Sequence, residues 1–150
     1  MKKLLTIFLG LAIALSSYAQ GVQKQEKIMG LNAYTYYPVG YEQGGNYPLI
    51  VFFPGLGEAG TNAQALLTYG PSGFIAKGYK PAALVISVQP TYGWVNETTI
   101  SQVLAEITKN YHVDANKIYL TGLSAGAAGI LQYALTPDYG KNIAAVVPMS

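Results

Sequence analysis

The chain has 150 residues, with nine Lys, no Arg, seven acidic residues, one His, no Cys and a formal charge of +2. That balance supplies no basic patch for nucleic acid, no thiolate for metal or redox chemistry, and no disulfide to reinforce a core. With 51% hydrophobic residues it has the means to pack a domain by burial alone.

Lys2 and Lys3 precede an apolar stretch over residues 4–15, and Ser17-Tyr18-Ala19 places small residues two apart. Residues 1–19 read as an export signal cut before Gln20, so the protein is expected to be secreted or periplasmic. The apolar stretch is too short to span a bilayer, and no stable membrane anchor is expected. Its removal takes two of nine Lys and no acid, leaving seven Lys against seven Asp and Glu, a mature charge near zero.

Residues 20–150 read as one unit. Residues 20–30 are polar and patternless, as in a flexible lead-in. Residues 31–37 favour an edge strand or hairpin arm, and residues 41–48 a turn. Leu49-Ile50-Val51-Phe52-Phe53 is apolar throughout, which predicts a strand covered on both faces. After Pro54-Gly55-Leu56-Gly57-Glu58-Ala59-Gly60, residues 62–69 predict a short helix that Gly70-Pro71-Ser72-Gly73 breaks. Residues 82–88 form a second buried run, followed by a loop through Tyr92 and Trp94. Thr99, with Gln102 three residues on, has the form of a capping box. It opens a helix whose apolar face is Ile100, Val103, Leu104, Ile107 and Tyr111. Residues 113–116 predict a turn, 117–121 a third buried strand, 125–135 a helix stopped by Pro137, and 143–147 a fourth buried run. This alternation predicts an α/β fold: a mostly parallel sheet with helices on both faces.

Between the third strand and its helix lies Gly122-Leu123-Ser124-Ala125-Gly126, of the form G-x-S-x-G. A strand turning sharply into a helix lifts one serine hydroxyl above the sheet. Both flanking positions must lack side chains because strand and helix pass close by. The helix then aims its first N–H groups at the reacting centre. Ser124 is the candidate nucleophile.

These segments together resemble the α/β-hydrolase superfamily. The likeness is to secreted bacterial esterases of the phospholipase/carboxylesterase, polyhydroxybutyrate-depolymerase or feruloyl-esterase kind. It is carried by Pro48 through Gly60, by Gly70-Pro71 with Phe74-Ile75, by Val85-Ile86-Ser87-Val88-Gln89-Pro90, and by Val113 through Gly126. The resemblance implies that Ser124 attacks an ester carbonyl, with the backbone N–H groups of Leu56 and Ala125 as the oxyanion hole. One such donor contributes about 3 kcal/mol to the transition state. Pro54 stands where the family usually has His. Glu58 resembles a position that holds this loop. Tyr92 and Trp94 are a possible substrate pocket.

The remainder of a catalytic triad does not follow from these residues. The single His, His112, precedes the strand that Ser124 follows, about 16 Å away at the other sheet edge. In the family the acid and the His come after the serine, so both are expected after residue 150, the chain being the N-terminal, C-terminally truncated part of a longer esterase. Asp114 and Asp138 are not assigned. The substrate would be a small-molecule or polymeric ester. A prolyl-oligopeptidase-like peptidase and a non-catalytic binding protein of the same fold are the alternatives. No cofactor, metal or nucleic-acid partner is expected, and a dinucleotide role for the glycine-rich segment after the first buried strand is set aside. Oligomeric state stays open.

Overall fold

The computed structural model describes residues 21–150; the expected export signal lies outside the described residues. Six strands form one sheet: β1 (Val22–Ile28), β2 (Leu31–Tyr37), β3 (Tyr47–Phe53), β4 (Leu84–Gln89), β5 (Val113–Leu123) and β6 (Ala145–Met149). Their spatial order is β1-β2-β4-β3-β5-β6. The pairs β4–β3, β3–β5 and β5–β6 are parallel, while β1–β2 and β2–β4 are antiparallel. The parallel region places the carboxyl ends of β3, β4 and β5 along one edge, and every loop leaving that edge approaches the same place.

Alternation along the central strands sorts side chains between two layers. Leu49, Val51, Phe53, Leu84, Ile86 and Val88 face helix α2 (Glu97–Asn110) and helix α3 (Ala125–Leu135), meeting Ile100, Val103, Leu104, Ile107, Ile130 and Tyr133. Tyr36 and Val85 on the other face pack against Ile75 of the short helix α1 (Pro71–Ala76), and Tyr34 meets Ala63 and Leu66. Helices therefore cover both faces, as the runs of apolar residues require.

Several local expectations are corrected. Residues 22–28 are not a flexible lead-in but a strand, paired in full register with β2. An edge strand wetted on one side needs no apolar run, so its polar composition hid it. Gly70-Pro71 does not simply break a helix; Pro71 occupies the first turn of α1, where its missing N–H costs nothing. The expected helix over 62–69 is a 3-10 turn over Ala63–Leu67. Helix α2 begins at Glu97 because the Asn96 side chain accepts the Thr99 N–H (2.9 Å), so Asn96, not Thr99, is its cap. Tyr111 lies just past its end. The expected turn at 113–116 lies inside β5, as a register shift: Tyr47 faces Val113, yet Leu49 faces Ile118. The extra residues curl back on themselves, with the Asn116 N–H donating to Asp114 (3.0 Å) and Lys117 paired to it (3.1 Å). Pro137, besides following α3, opens a further helical turn, α4 (Pro137–Gly140).

The run near residue 145 forms a strand, but an exposed one. Val147 is 58% exposed on β6, which pairs in parallel with β5. At the amino-terminal end of the parallel strands, Tyr37 and Tyr111 both donate hydroxyl hydrogen bonds to the Glu26 carboxylate (2.8 and 3.1 Å).

Burial first, and then Glu26, raise the Tyr37 and Tyr111 phenols, Tyr111 to about 12. Unfolded tyrosines ionise near pH 10. The stability these groups contribute is therefore fully present below about pH 10 and is lost as pH rises towards about 12. Melting temperature measured by circular dichroism should fall over that window, and less steeply in a Tyr37→Phe/Tyr111→Phe double variant.

Candidate active site

Ser124 stands between the end of β5 and the start of α3, exposed, with φ 51° and ψ −112°. A non-glycine residue there is strained by about 1–3 kcal/mol and persists only where its surroundings enforce it. The enforcing contacts are backbone against backbone. A Cβ on Gly122 would lie 2.6 Å from the Gly126 carbonyl carbon, and a Cβ on Gly126 would strike the Phe53 carbonyl. Strand β5, helix α3 and the end of β3 thus converge where no side chain fits. The Ser124 N–H donates to the Met149 carbonyl of β6 (2.8 Å), and its own carbonyl accepts the Ala128 N–H (3.0 Å). The bend is held from both sides.

The loop after β3 reaches the serine. A Cβ built on Gly55 would be 3.5 Å from the Ser124 Cβ. Leu56–Glu58 forms a single 3-10 turn. Leu56 and Ala125 are the first residues of their respective turns, so neither N–H has a carbonyl one turn back to bind. With the Ser124 amide committed to β6, the Ala125 amide is the first along α3 that can face a ligand. Ala125 follows Ser124 directly at the head of an 11-residue helix, whose first turn carries the positive end of the helix dipole.

Glu58 is a brace. Its carboxylate accepts the Gly55 N–H (2.9 Å) and is itself buried. Pro54 in place of the family's usual His leaves this bracing intact, because it is made by Glu58 and the main chain. The spacing of Gly55, Gly57 and Gly60 matches G-x-G-x-x-G, but the segment opens only the three-residue turn, not the long helix whose N-terminus a pyrophosphate needs. Two residues of this region escaped sequence reasoning. Gln89, the last residue of β4, and Asn32 of β2 are both buried and bond to the same loop. A polar residue ending an apolar strand was the available signal.

Tyr92 and Trp94 lie on the loop after β4, at the same sheet edge, and are 87% and 64% exposed. That loop is anchored at buried Val95, against which Gly129 of α3 packs too closely for any side chain. His112 is at the far end of β5. Its carbonyl accepts the Tyr47 N–H (3.0 Å) and its N–H donates to the Tyr41 hydroxyl (2.9 Å). Residues 118–123 alone put it about 20 Å from Ser124. Helix α3 carries the chain about 16 Å away from the serine before Asp138, which is exposed. Among the described residues no three His, Cys, Asp or Glu side chains converge.

Solved structures share this arrangement of sheet and helices at the level of the overall fold. The chain has the α/β-hydrolase fold. It is similar to a thermostable esterase (18% identity, TM-score 0.59, covering 88% of this chain and 41% of that one). It is similar also to a ferulic acid esterase (18%, 0.57, 84% and 56%) and to an S-formylglutathione hydrolase from Staphylococcus aureus (15%, 0.57, 87% and 57%). The chain spans about half the length of these structures. No protein-family model matches it, and no curated protein matches it.

The strain makes a prediction about stability. Ser124→Gly removes the Cβ that disfavours φ 51° and should stabilise the fold by about 1 kcal/mol, raising the melting temperature by about 4 °C. A melting temperature equal to or below the wild type would mean that the bend is relaxed.

Proposed function

We propose that this chain carries the nucleophile and oxyanion hole of a secreted serine carboxylic-ester hydrolase. The observation that carries the reading is an exposed serine held at φ 51° with the Gly55 loop against it. A thermostable esterase and a ferulic acid esterase share the fold, which supports the same class. Export rests on residues 1–19 and their signal pattern.

The Ser124 Oγ attacks the ester carbonyl and its proton passes to a general base. The carbonyl oxygen becomes an anion between the Leu56 and Ala125 N–H groups. Collapse expels the alcohol, which takes the proton back from the base, and leaves an acyl group on Ser124. Water attacks that group by the same route and releases the acid. His112 is too distant to be the base, so the reading places the His and its orienting acid in sequence that follows residue 150. Tyr92 and Trp94 would line the approach for the apolar part of the substrate.

A fluorophosphonate probe tests this on the protein expressed together with its downstream sequence. Mass spectrometry should find the label on Ser124, and Ser124→Ala should abolish it. Residues 21–150 alone should not hydrolyse an aryl ester measurably. Turnover by that piece that vanishes in Ser124→Ala would overturn the placement of the base. An unlabelled Ser124 in the longer protein would overturn the hydrolase reading.

A further inference from the structure

The oxyanion loop is held by side chains that belong to neither the loop nor the nucleophile. Asn32 and Gln89 are direct partners in the antiparallel β2–β4 register, and they are 8% and 1% exposed. The Gln89 amide nitrogen donates to the carbonyls of Glu58 and Asn62, both at 2.8 Å. Its amide oxygen accepts from the Asn32 amide nitrogen (2.7 Å), which also donates to the Thr61 carbonyl (2.9 Å). The Asn32 amide oxygen accepts from Lys27 Nζ (2.7 Å) on β1. Three carbonyls within five residues are thereby tied to two strands, and both polar hydrogens of each amide are used.

These ties bear on Leu56 through a short chain of contacts. Glu58, whose carbonyl Gln89 holds, accepts the Gly55 N–H through its side chain, and Gly60 donates to the Pro90 carbonyl (2.9 Å), next to Gln89. Leu56 sits between Gly55 and Glu58 and is itself 60% exposed, with its own carbonyl held by the Ala59 N–H (3.2 Å). Its N–H is aimed by that bond together with what holds its neighbours. An oxyanion donor acts through being placed before the charge forms, so that no reorganisation is needed at the moment of reaction.

We propose that Gln89 and Asn32 are positioning residues for the oxyanion loop, fixing the Leu56 N–H over Ser124 through the Glu58 and Asn62 carbonyls. The catalytic part of this statement rests on the hydrolase reading above; the structural part stands without it. Removal of the Gln89 amide leaves the buried Glu58 carbonyl, the partly buried Asn62 carbonyl and one Asn32 N–H without these partners, a loss that a side chain of equal volume does not repair.

Gln89→Met keeps the shape and removes both donors. Amide hydrogen exchange in this variant should accelerate at least tenfold at Gly55 and Gly60 and stay within twofold at Leu120 and Gly122 in the core of β5. Asn32→Leu should reproduce the pattern, and the double variant should be no worse than Gln89→Met alone, because the two act through one network. In the protein carrying its downstream chain, Gln89→Met should lower kcat at least tenfold with KM within twofold. Loop exchange unchanged in folded Gln89→Met, or acceleration spread equally over the sheet, would overturn the proposal; so would a rise in KM at constant kcat. Should Gln89→Met not fold, Asn32→Ala decides by the same exchange measurement. A wild-type Ser124 inert to fluorophosphonate would sink the hydrolase reading alone, with loop exchange still deciding the clamp.

Discussion

The approach of three backbone segments with no side chain between them is the constraint on which the rest of this structure depends. Gly126 of α3 lies against the Phe53 and Pro54 carbonyls, and Gly122 of β5 lies against Gly126. Were either position to carry a methyl group, α3 would have to tilt off the sheet. Ser124 would then lose the geometry that holds it at positive φ. The apolar faces of α2 and α3 supply the force that closes this contact. Ile130 and Tyr133 are buried against Leu120 and Val51, and Ile100 and Ile107 complete the same layer. Core burial is here converted into local strain at one exposed hydroxyl, and the strained residue belongs to the candidate site.

The two ends of the sheet solve different problems. At the amino-terminal end, tyrosine hydroxyls converge on Glu26, and rings of Tyr37, Tyr41 and Tyr47 pack edge-on or tilted at about 5 Å between centroids. His112 belongs to this end, where its ring lies 5.5 Å from that of Tyr41. That end is closed by its own side chains. At the carboxyl end the polar groups are turned on the backbone instead. Glu58, Gln89 and Asn32 each hydrogen-bond main-chain atoms of residues 55–62, and Gln89 and Asn32 also bond each other.

What could be read from the residues follows from the range of the interactions involved. The strands at 49–53 and 84–88 and the helix at 125–135 were legible because an unbroken apolar run or a helical apolar face has few other solutions. The serine bend was legible because the glycines at 122 and 126 are demanded by close approach. The strand at 22–28 was not, since its stability comes from pairing to residues 31–37 and not from its own burial. The Asn96 cap is hidden in the sequence because Thr99 and Gln102 make a capping-box pattern three residues further on. The bulge at Asp114 looked like a turn because locally it is one; only the partner strand turns it into an interruption of β5. The Asn32–Gln89 pair depends on a cross-strand register, and one-dimensional spacing carries no trace of it.

The bond from the Ser124 amide to the Met149 carbonyl ties the serine to a strand that follows it in the chain. During synthesis the β5–α3 corner is made well before residue 149 has left the ribosome. Until then the corner lacks one of the two hydrogen bonds made by the serine's own main chain. The bend is thus held from both sides only once β6 has joined the sheet, and a chain still short of β6 carries its serine held from one side alone.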